Sequence, residues 1–195
     1  GFPISYEKHQ FPHKKELPNR LLTLYQSSEK KWIGIAPFAA HQGKIYPLDL
    51  MQQIINFLQK DHQLFLFGAG QKEKERLEVL EKAYDNVFSN VGKIDLKEQL
   101  DLMTYLDLMI SMDSAIGHMA ANMGTKVLTL WGMTHPFCGF SPFNQPIDYS
   151  LSLDRIEYPL IPTSIYGNKI PLGYEDAFRS LEPKVVIEKV LELIK

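Results

Sequence analysis

The sequence predicts an α/β domain with a doubly wound parallel sheet, Rossmann-like in organisation. Three observations carry this. Short segments such as Trp32–Phe38 (WIGIAPF), Gln63–Phe67 (QLFLF) and Leu108–Met112 (LMISM) are apolar or nearly so throughout. The segments between them place apolar residues at helical spacing with polar residues opposite. The two kinds alternate along the chain, the pattern of parallel strands covered by helices on both faces.

Residues 1–31 are polar and basic, with Pro3, Pro12 and Pro18, and read as a linker or arm holding a short helical candidate, Leu17–Ser27. The domain proper is expected over 32–195. Trp32–Phe38 is the first strand, ended by Pro37. Leu48–Lys60 is a helix with Met51, Ile54, Ile55 and Leu58 on one stripe. After the strand Gln63–Phe67 and the turn Gly68-Ala69-Gly70, Gln71–Tyr84 is a charged helix with Leu77, Leu80 and Tyr84 inward. Asn86–Val91 is a short strand. Asp95 with Glu98 three residues later is a capping-box pattern, opening a helix with Leu96, Leu100 and Met103 inward. Leu108–Met112 is followed by a helix, Ser114–Met123, closed by Gly124. Its expected buried stripe is Ile116, Met119, Ala120 and Met123. Lys126–Gly132 (KVLTLWG) is the next strand.

Periodicity then stops. Residues 133–182 are irregular and rich in Pro and aromatics, with one candidate strand near Tyr149–Leu153. Phe137, Phe140, Phe143, Tyr149, Tyr158 and Tyr166 are expected to hold this stretch partly ordered against the domain, since large apolar side chains gain by burial. A C-terminal helix over 183–195 starts at Pro183 and stripes Val186, Ile187, Val190, Leu191 and Ile194. That stripe predicts docking within the chain or self-association.

Ligands of open parallel sheets bind beyond the carboxyl ends of the strands. Four loops lie there. Asp113, after the fourth strand, is placed to cap the next helix, whose free N–H groups and positive dipole end suit a phosphate. His118 lies opposite that helix's apolar stripe, on the side of Ser114. A plain N-cap with a surface His fits the same pattern. Lys44 follows Gly43 in the first loop; it reaches a phosphate or stays solvated. Gly68 and Gly70 suggest backbone access to a ligand, but a dinucleotide fingerprint needs Gly where the chain has Glu73, so that reading is rejected. His135, before Pro136, is open between loop packing and ligand contact.

In this order the residues resemble the C-terminal domain of the ADP-heptose:lipopolysaccharide heptosyltransferase family. The resemblance runs from about Trp32 to Pro142, over IAPFAAHQGKIYP, LFLFGAGQKEKE, NVGKIDLKEQLDLMTYLDLMISMDSAIGHMAANMG and KVLTLWGMTHP. Tyr166-Gly167-Asn168-Lys169 and the last helix match more loosely. The resemblance implies a two-domain GT-B glycosyltransferase, inverting and without metal or other cofactor. Its C-terminal domain binds a nucleotide diphosphate sugar such as ADP-heptose. An N-terminal domain, absent from this sequence, binds the saccharide or lipid-linked acceptor and supplies the base, so this chain by itself is expected not to transfer sugar. It further implies that Lys44 neutralises the diphosphate. Asp113, Ser114, Ala115 and His118 hold diphosphate and sugar, Gly68, Gly70 and Gln71 border the nucleoside, and Thr134 forms the rim. Ala115 stands where the family often has Gly, Gly70-Gln71 where some relatives have Glu, and Tyr46 where Trp is frequent. Alternatives are a non-catalytic nucleotide-sugar binding module, or part of another GT-B enzyme such as a nucleotide-sugar epimerase. A place in lipopolysaccharide or cell-envelope synthesis implies a cytoplasmic protein with at most peripheral contact at the inner face of the inner membrane.

Composition excludes other classes. Of 195 residues, 21 are Lys or Arg and 23 are Asp or Glu, giving a net charge of -2 and no basic excess for nucleic acid. One cysteine, Cys138, forms neither a disulfide framework nor a cysteine zinc site, and nothing in its surroundings marks a reactive thiolate. Neither HExxH nor GxSxG occurs. No apolar run approaches the roughly 20 residues that span a bilayer. The start, GFPISYEKHQ, is neither a signal peptide nor an ordinary beginning, so the chain is expected to be a piece of something longer.

Overall fold

The computed structural model describes residues 9–14, 16–25 and 29–195. Among these the strands are β1 (Trp32–Ala36), β2 (Gln63–Leu66), β3 (Val87–Ser89), β4 (Leu108–Met112), β5 (Val127–Trp131) and β6 (Ser150–Ser152). The α-helices are α1 (Asn19–Tyr25), α2 (Leu48–Leu58), α3 (Gly70–Ala83), α4 (Leu96–Met103), α5 (Ala115–Asn122) and α6 (Pro183–Leu193). One sheet runs β3-β2-β1-β4-β5-β6, with every neighbouring pair parallel. In register, Ile33 lies between Leu64 and Leu108.

Alternation along the strands divides the core in two. Leu64 and Leu66 join a cluster with Ile33, Ile35, Leu108 and Ile110, covered by Met51, Ile54 and Ile55 of α2, Leu77 of α3 and Val186 and Val190 of α6. Phe65, Phe67 and Met109 face the other way, under Leu21 and Tyr25 of α1, Leu102 and Met103 of α4 and Ala120 and Ala121 of α5. Strands buried on both faces have no polar side to show, which is why their sequences are continuous in apolar residues. Burying each of α2's large side chains is worth roughly 1.5–3 kcal/mol.

Several elements differ in detail from expectation. The stretch read as an arm carries α1, which begins at Asn19 and not at Leu17, and Leu17, Leu21 and Tyr25 are buried; the expected end at Ser27 lies outside the described residues. The Tyr25 hydroxyl donates to Asn90 Oδ1 at 2.5 Å. The capping box at Asp95 forms as predicted, Glu98 N–H donating to Asp95 Oδ1 at 2.8 Å. Leu96 is exposed, not inward, because the first residue after the cap sits on the outer side of this helix. On α5 the fully buried residues are Gly117, Ala120 and Ala121, with Ile116, Met119 and Met123 only partly covered.

The segment 133–182 is anchored, but only in part by the aromatics named above: of the six, Tyr149 and Tyr158 pack against the core. Phe137, Phe140, Phe143 and Tyr166 are exposed, and Tyr149 and Tyr158 are half-buried. The buried anchors are Met133, Leu153, Ile161, Phe178 and Leu181. The candidate strand near 149–153 is β6, on the sheet's edge beside β5. The last helix docks within the chain: α6 packs on α2 and buries Val186, Val190, Leu193 and Ile194.

Candidate functional site

Helices α2 and α3 cover one face and α4 and α5 the other, so the winding reverses between β1 and β4. A crevice opens at that switch point, beyond the carboxyl ends of the strands. After β1 the chain passes buried Pro37 and Phe38 and makes a 3-10 turn, Gln42–Lys44. The turn brings Lys44 under the end of β4. Lys44 Nζ lies 2.8 Å from Asp113 Oδ2, the two side chains being 14% and 6% exposed. Thr134, fully buried after β5, donates its hydroxyl to the same Oδ2 at 3.0 Å. The loops after β1 and β5 thus each send one group to a single carboxylate oxygen carried just past the end of β4.

This corrects the expectation that Asp113 caps α5. Ser114 is the N-cap residue, and its side chain makes no capping hydrogen bond; its Oγ lies 3.2 Å from Ser111 Oγ. Asp113 has the stronger partners, a full positive charge and a buried hydroxyl, and a charge-assisted contact outweighs a neutral cap. The first-turn N–H groups of α5 are left without a side-chain cap, at the positive end of the helix.

The cleft in front of this pair has a volume of about 370 Å³. Lys44, Asp113, Ser114, Ala115 and His118 line it, with Phe38, Ala39, Ala40 and Ile116 as apolar wall and Ala69 and Glu73 opposite. Thr134 stands behind Asp113, not at the rim. Gly68, Gly70 and Gln71 do not line the cleft. Gly70 opens α3 and is exposed, and Gln71 is drawn along the helix to donate to Glu75 at 2.8 Å. The residue missed is Glu73. Its carboxylate accepts the Ala69 N–H at 2.8 Å, folding back over the turn to the cleft edge. An acidic residue in the first turn of a helix that follows a glycine turn was the available signal.

His135 packs instead of lining the cleft. It is buried, Nδ1 accepts the Phe137 N–H at 3.3 Å, and burial, with Arg155 nearby, holds its pKa below the usual value. Burial also pushes the Tyr46 hydroxyl up; it donates to Leu181 O at 2.6 Å, fastening the loop after Lys44 to the segment before α6. Among the described residues no group of three or more His, Cys, Asp or Glu side chains is arranged to hold a metal ion. A larger hollow of about 600 Å³ between α2 and α6 includes Phe57, Lys60 and Leu191 and shares no lining residue with the cleft at Lys44 and Asp113.

A doubly wound domain with an anion-suited crevice at its switch point is the class these features define. The sequence pattern of glycosyltransferase family 9 (heptosyltransferase) matches residues 1–155, and the chain belongs to that family. It is 24% identical over 191 residues to lipooligosaccharide heptosyltransferase 2 of Campylobacter jejuni, covering 95% of this chain and 57% of that protein. Among solved structures, a family 9 glycosyl transferase from Veillonella parvula superposes with a TM-score of 0.70 at 16% identity, over 90% of this chain and 49% of that one. An E. coli heptosyltransferase solved with ADP gives 0.62 at 15% identity, over 90% and 48%. The fold is therefore that of half a GT-B glycosyltransferase, and the chain spans about half the length of the curated relatives it matches. No helix among the described residues is long and apolar enough to cross a membrane.

Proposed function

We propose that this chain is the donor-binding half of an inverting glycosyltransferase that moves a heptose-like sugar from a nucleotide diphosphate, with ADP-heptose the leading donor, to a lipopolysaccharide or related cell-envelope acceptor. The observation that carries this is Lys44 held at Asp113 beside the uncapped start of α5. As the sugar–oxygen bond breaks, the leaving diphosphate gains negative charge. A lysine, an imidazole and helix N–H groups fixed around it stabilise that charge more in the transition state than before it. Lys44 has three N–H donors, so one stays on Asp113 while the others serve a phosphate. Asp113 Oδ2 is occupied by Lys44 and Thr134; Oδ1 is assigned to a hydroxyl of the donor sugar. Glu73, with the turn 68–71 behind it, is assigned to the nucleoside side. Family membership favours transfer over epimerisation or a purely binding role. The base and acceptor site belong, in this reading, to the half of the relatives that this chain does not match. The working location is the cytoplasmic side of the inner membrane, with peripheral contact at most.

Calorimetric titration with ADP and with adenosine tests the site. Lys44→Gln keeps a donor beside Asp113 and removes the charge. It is expected to weaken ADP about 10- to 100-fold, the worth of a hydrogen bond to a charged group, and to leave adenosine unchanged. His118→Ala is expected to act in the same sense and less. Unchanged ADP affinity in both folded variants overturns the proposal.

A further inference from the structure

The two groups that converge on Asp113, Lys44 and Thr134, are backed by a third segment of chain. Residues 161–169 form a strap across the loop after β5. The Thr163 N–H donates to Met133 O at 3.0 Å, and the Met133 N–H donates to Gly43 O at 2.8 Å. The Thr163 hydroxyl closes the strap on Lys169 O at 2.6 Å. Three stretches of backbone, around residues 43, 133 and 167, are thereby stacked. A Cβ at Gly43 would lie 2.5 Å from Gly167 O, and one at Gly132 would lie 2.3 Å from Gly43 O. These are contacts between backbones, which no side-chain rotation relieves.

Gly167 is the buried member of the strap between exposed Tyr166 and Asn168. Its φ is +64°, a conformation that side chains other than glycine's resist. A Cβ there would lie 2.9 Å from Lys44 Cγ and 2.9 Å from Thr134 Cγ2. Both contacts fall near the roots of the side chains. Pushing Lys44 at Cγ tilts the whole stem that carries Nζ. Pushing Thr134 at Cγ2 turns its Cβ and so moves Oγ1, the atom that donates to Asp113. One added methyl would press on both partners of Asp113 at once.

We infer that Gly167 is a positioning residue: the 161–169 strap is the template that sets Lys44 and Thr134 against Asp113, and only a glycine at 167 lets it lie close enough. The inference deepens the donor-site reading and depends on it only for ligand binding. Gly173 supplies an internal control. It lies in the same irregular segment with φ +84°, and a Cβ there would have nothing within 4 Å. Gly173→Ala therefore imposes the backbone strain without the push.

The test uses four variants of the full chain: Gly167→Ala, Gly173→Ala, Lys44→Gln and Gly167→Ala/Lys44→Gln. The first readout is the rate at which an amine-acetylating reagent modifies Lys44, followed by mass spectrometry against the exposed lysines. The second is ADP affinity. Gly167→Ala is expected to speed modification of Lys44 and weaken ADP about tenfold, within the range for residues in direct contact; Gly173→Ala is expected to change neither. In the Lys44→Gln background the added Gly167→Ala is expected to cost ADP less than about threefold, because residues acting through one group are not additive. Should Gly167→Ala fold poorly, Gly167→Ala/Thr134→Ser removes one of the two obstructing carbons, the Thr134 methyl, keeps the hydroxyl, and is expected to recover part of the loss. Unaltered Lys44 modification in folded Gly167→Ala, full additivity with Lys44→Gln, or equal effects of Gly167→Ala and Gly173→Ala overturns the inference. If the unmodified chain binds no ADP, the donor reading fails while the labelling comparison still decides this one.

Discussion

Between Trp32 and Trp131 the chain is held by a ladder of parallel strands, and 133–182 is held by separate anchors. In the first region Ile33, Ile110 and Leu128 are each fully buried among neighbours from several elements. In the second, buried Leu153, Ile161 and Phe178 alternate with Ile156 at 92% and Leu172 at 96% exposure. Both regions contribute to the Lys44–Asp113–Thr134 contact at the cleft. The ladder supplies Lys44 and Asp113 at strand ends, and the anchored segment supplies Thr134 and the strap behind it. The comparison teaches that regular structure here fixes where the ligand groups begin, while irregular structure fixes how closely they meet.

Core truncation gives the widest expected separation between the regions. Ile110→Ala should cost about 2–5 kcal/mol in urea unfolding, the range for a large aliphatic removed from a rigid core. Ile161→Ala, on a loop freer to collapse into the space, should fall at or below the bottom of that range. Equal losses would mean that the anchored segment is as rigid as the ladder.

Acid should discriminate next, through one histidine on each side of the divide, half-buried His62 and buried His135. Burial lowers the pKa of His62, just before β2, and of His135, after β5. Where a histidine's folded pKa lies below its unfolded value of about 6.5, the unfolded state binds more protons as pH falls. The stability these residues support is therefore complete above that pH and is lost as pH drops through it. Urea midpoints at about pH 7.5, 6.5 and 5.5 should decline in that order. His135→Asn should flatten the decline in part, leaving the share due to His62; an unchanged slope would mean that His135 does not contribute.

The smallest effect belongs to the exposed aliphatics. Leu172→Ser should shift stability by no more than about 0.5 kcal/mol, as surface substitutions do. A loss several times larger in the isolated chain would show that Leu172 is covered in solution.

The strands and helices of the ladder were legible because period and burial coincide there: a strand covered on both faces must be apolar throughout, and α2 must be apolar on one stripe. The capping box at Asp95 was legible for the same local reason. Asp113 was misread because its spacing to Ser114 matches a cap, whereas its partners Lys44 and Thr134 come from other strands and leave no local signature. Glu73 was weighed only as a missing glycine, and its reach back to Ala69 depends on the turn geometry. The aromatics of 133–182 were expected inside on size alone. Without periodicity, size does not say which of Phe137 and Phe178 faces the core.

The packing of α6 on α2 also sets an order of events during synthesis. The face of α2 that α6 covers is complete once Leu58 has been made, but its cover, Val186 to Ile194, comes only after residues 59–182. At about 5–20 residues per second, a ribosome takes roughly 6–25 s over that interval. Throughout it the nascent domain carries an unfinished apolar flank, a binding place for chaperones and a liability for aggregation. A stop anywhere before residue 183 leaves that flank open, so one of the two core clusters is closed only by α6.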